Sequence, residues 1–114
     1  MMRNITLRFR AVDKQGFDDI RSGKKEIETR AATTKYQNIS TGDTLTFTCA
    51  GEKFTKTITK IHHWQSIDAM VDEVSFKKIM PRIETIQEMR AAYASYPGYT
   101  DKIKEHGLVG FELS

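Results

Sequence analysis

Ile20-Arg21-Ser22-Gly23-Lys24-Lys25-Glu26-Ile27-Glu28-Thr29-Arg30 runs from an apolar helix end through a glycine into a charged segment. Its first residues close a short helix over residues 13–22, with Phe17 and Ile20 three apart on its inner face. Gly23 stands where a helix C-cap takes positive φ. Residues 26–30 that follow are short, charged and extended. In an extended segment residues two apart share a face. Glu26, Glu28 and Arg30 then point one way, and Ile27 and Thr29 the other. Glu28 can pair with Arg30, and Lys25, leaving the glycine turn, converges on the same space. A lysine, a carboxylate and an arginine facing one cavity suit an anionic or hydrogen-bonding ligand such as a nucleotide. The same spacing also suits a surface ion pair beside a helix cap, worth ~0–1 kcal/mol.

Working outward, Ile5, Leu7 and Phe9 alternate with Thr6, Arg8 and Arg10 as a half-buried strand before the helix. After the charged stretch, residues 31–41 are polar and irregular, with Tyr36 and Ile39 as large apolar anchors. Ser40-Thr41-Gly42-Asp43 reads as a turn. Leu45, Phe47 and Cys49 then alternate with Thr44, Thr46 and Thr48 in the cleanest strand of the chain. Ala50-Gly51-Glu52 turns into a second threonine-rich strand over residues 53–62, making a hairpin. Ser66 caps a helix carrying Ile67, Met70, Val71 and Val74, and Ser75 restarts one carrying Phe76, Ile79 and Met80. Thr85-Ile86-Gln87-Glu88 is a capping box. Met89, Ala92, Tyr93 and Tyr96 keep helical spacing behind it until Pro97-Gly98. One more turn over 100–106 ends at Gly107. A last strand, 108–113, sets Val109, Phe111 and Leu113 on one face. This order predicts an α+β domain on a small mixed or antiparallel sheet, in which the two ends of the chain meet.

At 114 residues the chain is read as one domain, 1–114. Residues 1–60 hold 12 Lys/Arg against 7 Asp/Glu, whereas residues 61–114 hold 6 against 8. The basic half contains the charged stretch, which is compatible with an anionic partner, nucleic acid being the commonest. A solvated basic surface has the same composition. The single cysteine, Cys49, excludes an internal disulfide and suits a reducing, cytoplasmic setting. No stretch approaches the roughly 18 apolar residues of a membrane span. Adjacent His62 and His63 on a strand point to opposite faces, and with three histidines and one cysteine no metal site or cofactor is expected. Trp64 reads as a core anchor or a base-stacking platform, and Tyr93 and Tyr96 as core packing or stacking groups at a cleft edge. Nothing in the pattern sets an oligomeric state, so a monomer is the default.

Gly23-x-Lys25-x-x-Glu28-x-Arg30 resembles the signature of the ASCH domain family, a branch of the PUA-like superfold. Phe17-x-x-Ile20 upstream, Gly42-Asp43 at the next strand, Tyr93, Tyr96-Pro97 and the closing Gly107-Leu108-Val109-Gly110-Phe111-Glu112-Leu113 fall in the family's order, so the resemblance spans essentially the whole chain. It implies a small β-barrel with helices packed around it, whose motif residues line a cleft for RNA or a modified nucleoside. It implies a binding module with Lys25, Glu28 and Arg30 in the cleft and Lys24 and Asp43 at its edge, to which Trp64, Tyr93 and Tyr96 are added here as candidate stacking groups. The alternative is a metal-independent enzyme. A bacterial subgroup of the family hydrolyses the amide of N4-acetylcytidine with a lysine, a threonine and a more distant glutamate, and other members are described as ribonucleases. This chain keeps the lysine as Lys25 but has Glu28 in place of the threonine. Thr29 is one residue on, facing the other side, and Glu84 is near the distant glutamate in order only. In such an enzyme Glu28 would act as general base and Lys25 would stabilise an oxyanion. A protein-interaction module with a purely structural charged stretch is the third possibility.

Overall fold

The computed structural model describes residues 2–114. Five strands and four helices follow one another as β1 (Asn4–Arg8), α1 (Lys14–Ser22), β2 (Ile27–Ala31), β3 (Thr44–Cys49), β4 (Glu52–Trp64), α2 (Ile67–Glu73), α3 (Ile86–Ser95), α4 (Tyr99–His106) and β5 (Leu108–Leu113). The strands form one mixed sheet in the order β1-β3-β4-β5-β2, curled into a half-barrel. β1 runs parallel to β3, and every other neighbouring pair is antiparallel.

Local sequence explains most of these elements. Gly23 ends α1 with φ 86°, its N–H donating to the Ile20 carbonyl at 3.2 Å. That left-handed position turns the chain straight into β2. Ala50 and Gly51, with φ 49° and 84°, make the tight turn between β3 and β4. The Ser66 hydroxyl accepts from the Ala69 N–H, and the Thr85 hydroxyl from the Glu88 N–H, starting α2 and α3. Ser75 begins only a short 3-10 turn, Phe76–Lys78, rather than a helix.

The sheet carries a core on each side. Leu7, Leu45, Phe47, Val109 and Phe111 pack against Phe17 and Ile20 of α1, with Tyr36 and Ile39 plugging the first core. Ile27, Ala31 and Leu108 pack against Met70, Met89, Tyr93 and Ile103 of the other helices. The two ends of the chain share the sheet but do not meet in it: β3 and β4 stand between β1 and β5. Parallel pairing of β1 with β3 sends the first strand to one edge, and antiparallel pairing with β4 draws the last inside. β1 and β2 are therefore the two edges, and the curl brings the end of β1 towards β2. Among the described residues no helix is long and apolar enough to cross a membrane.

Candidate functional site

β2 pairs with β5 through residues 26 and 32, among others, as the Leu113 N–H to Glu26 carbonyl bond (3.1 Å) and the Ala32 N–H to Gly107 carbonyl bond (2.9 Å) show. In an antiparallel ladder the alternate residues 27, 29 and 31 then turn their amides to the open edge. An open edge amide needs a partner. Here Thr29 N–H donates to Oε1 of Glu28 at 2.9 Å. Lys25 Nζ lies 3.3 Å from the same oxygen, and Arg30 Nη2 donates to Oε2 at 3.2 Å. Lys25 and Arg30 thus both meet the Glu28 carboxylate, whose side chain is only 5% exposed, and Lys25 itself is outside the wall of the adjoining cavity. Burial by itself would raise the Glu28 pKa. The charges of Lys25 and Arg30 outweigh it and hold the carboxyl below its ordinary value. Burial likewise opposes the charge on Arg30, and Glu28 more than restores it, raising that pKa.

Next to this carboxylate, in the seam between the two edge strands, lies a cavity of about 410 Å³. Glu28, Thr29 and Arg30 contribute one wall, and Arg8, Phe9 and Arg10 the wall opposite. The Arg30 guanidinium sits over the Phe9 ring, 5.2 Å from its centroid. Tyr96, Pro97 and Tyr99, where α3 gives way to α4, close a third side, with the two phenol rings edge to face at 5.3 Å. Burial raises the Tyr96 pKa, helped by the nearby Glu28 charge, so the phenol stays protonated at neutral pH. The size is at the small end of the 300–1,000 Å³ typical of small-ligand sites. A fixed carboxylate, a stacked guanidinium and aromatic walls can read the polar edge of a planar heterocycle while covering its faces.

The remaining sequence-derived residues fall elsewhere. Tyr93 is one layer behind the cavity wall, its hydroxyl hydrogen-bonded to Thr29 Oγ1, and burial pushes its pKa up. Lys24 is exposed on the turn after α1 and is outside the cavity wall. Asp43 is also outside it. Its carboxylate accepts from the Ser40 and Arg3 backbone N–H groups, each at 2.8 Å, locking the turn into β3. Those bonds depress its pKa. Trp64 belongs to the second core, where its ring stacks on His62 and Nε1–H donates to Glu73 at 2.9 Å. Phe9, Tyr99, Arg8 and Arg10 line the cavity and were not singled out from sequence. The interleaved Arg8-Phe9-Arg10 is the signal that was there to find.

A family model described as ASCH domain matches residues 11–113. No curated protein matches. Among solved structures, the chain is similar to hypothetical protein PH0355, with 23% identity and a TM-score of 0.79, covering 100% of this chain and 98% of that one. It is also similar to the solution structure of protein PF0455 from Pyrococcus furiosus, with 23% identity and a TM-score of 0.71, covering 100% and 96%. At this identity the two likenesses show a shared fold.

Proposed function

The chain belongs to the ASCH domain family, and from that premise we propose that it binds RNA or a nucleotide, holding one base in the cavity between β1 and β2. The observation that carries this reading is the hydrogen-bonding state of Glu28. A carboxylate has about four acceptor positions. Oε1 takes Thr29 N–H and Lys25, while Oε2 takes Arg30. One acceptor position on Oε2 therefore stays open among the described residues, beside the donors of Arg30. An N–H next to a carbonyl or ring nitrogen, the polar edge of a nucleobase, fits that pair. Phe9, Tyr96 and Tyr99 supply apolar surface for its faces.

Glu28 suits recognition better than proton transfer. A general base works best with a pKa near the working pH, and Lys25 and Arg30 hold this one low. Hydrolysis of a modified nucleoside is a second reading, in which Glu28 acts as general base and Lys25, 3.3 Å from its carboxylate, stabilises an oxyanion. Unchanged acetylated cytidine after prolonged incubation with the protein would remove it.

The test of binding is a titration of isotope-labelled protein with a pool of short single-stranded RNAs at low ionic strength. Resonances of Phe9, Tyr96 and Tyr99 are expected to shift, with affinity falling as salt rises. Tyr96→Ala, at a half-buried position past the end of α3, is expected to cost about 1–3 kcal/mol of binding. No response from either RNA or mononucleotides overturns the proposal.

A further inference from the structure

The cavity does not end at β1. Arg8 and Phe9 also wall a second, smaller cavity of about 280 Å³ beside the β3–β4 hairpin, with Thr48, Gly51, Glu52 and Lys53 on its far side. The sheet register explains the continuity. Arg8 lies opposite Thr48 on β3, and Thr48 lies opposite Lys53 on β4. Cross-strand partners share a face, so the three side chains form one row, with Arg8 and Lys53 about 10 Å apart at two strand spacings.

Charge is distributed unevenly around the two cavities. Asp13 is held by Arg10 at 2.8 Å, Glu28 by Lys25 and Arg30, and Glu52 by Lys14 at 3.1 Å and Arg21 at 2.8 Å. Each carboxylate lining the two cavities is thus already paired. Arg8 and Lys53 are the lining cations with no carboxylate within 4.0 Å among the described residues.

Building on the nucleobase reading of the first cavity, we infer that the second is a subsite for the adjoining nucleotide of a single strand of RNA. Arg8 takes the phosphodiester between the two, and the strand crosses the sheet end past Thr48 to Lys53. An acidic peptide fits less well. Its carboxylates would find Arg8 and Lys53, but the ionised Glu28 at the first cavity repels them and accepts only a donor.

The experiment compares the four nucleoside monophosphates, a random RNA hexamer pool and a poly-glutamate peptide, on the wild type and on Arg8→Gln and Lys53→Gln. Folding of each variant is checked by circular dichroism. The hexamers are expected to bind more tightly than the monophosphates. Lys53→Gln, remote from the first cavity, is expected to weaken hexamers roughly fivefold, to flatten their salt dependence by ~0.7 in log–log slope, and to affect the monophosphates less. Arg8→Gln is expected to flatten the slope similarly. Hexamer affinity and slope unchanged in both variants would falsify the second subsite while leaving the first intact. Silence from monophosphates and hexamers alike overturns both readings together. Poly-glutamate binding as tightly as RNA, and lost in the same variants, marks a general anion surface and overturns the nucleotide assignment.

Discussion

Thr29 and Tyr93 show how the motif is anchored from behind. Among the described residues their hydroxyls bond to each other, apart from a long contact from the phenol to Met70 Sδ at 3.9 Å. Both residues are buried, so removing one hydroxyl leaves the other without its partner. Tyr93→Phe and Thr29→Val are each expected to cost ~1–3 kcal/mol in urea denaturation. The double variant is expected to cost less than the two together by ~1 kcal/mol, because the second change removes a group already orphaned. Strict additivity would mean the pair is not coupled. At this scale the sequence was legible where spacing is local. The two-residue period placed Glu28 and Arg30 together and turned Thr29 away, since backbone geometry alone sets those directions. Phe9 and Tyr99 were not legible as wall residues. Their places depend on how the sheet curls and where α3 ends, which no local pattern encodes.

Among elements, β5 packs closely against Trp64 of β4 and Ile27 of β2 at Gly110. A Cβ on Gly110 would lie 2.6 and 2.7 Å from the Trp64 ring and 3.3 Å from Ile27 Cγ2. Gly110→Ala therefore has to displace the indole, against its stacking on His62 and its bond to Glu73. A loss of ~1–3 kcal/mol is expected from the overpacking. Because Trp64 is the sole tryptophan, a red shift of fluorescence reports its displacement directly. An unshifted spectrum with full stability would show that the strand yields instead. Alternation located the strands, and serine and threonine caps located two helices, because those signals act within one element. Asp43 exposes the limit. Its place before an apolar strand fits a site edge and a turn lock equally, and only its two backbone bonds tell which task the carboxylate performs in the fold.

Over the whole molecule, the two cores are joined through shared strands, β4 giving Ile58 to the first and Trp64 to the second. Val109 and Phe111 of β5 enter the first core and Leu108 the second. The cores are therefore expected to unfold together. Each holds a probe: the buried Cys49 thiol in the first and Trp64 in the second. Pulsed thiol labelling and tryptophan fluorescence are expected to give one urea midpoint, and two separate midpoints would mean independent units. The fold class was legible from element order, but the strand order was not, because pairing partners are chosen by tertiary packing. That strand order also sets a schedule. β2 is the second strand to emerge during synthesis, yet its one strand partner is the last of the five. Ile27 waits for Glu112, 85 residues later, so this pairing is among the slow, non-local steps of folding. In that interval β2 has both edges bare. Glu26, Glu28 and Arg30 then put charge along a strand that would otherwise invite another chain. The residues proposed to read a ligand in the finished protein thus also guard the nascent one.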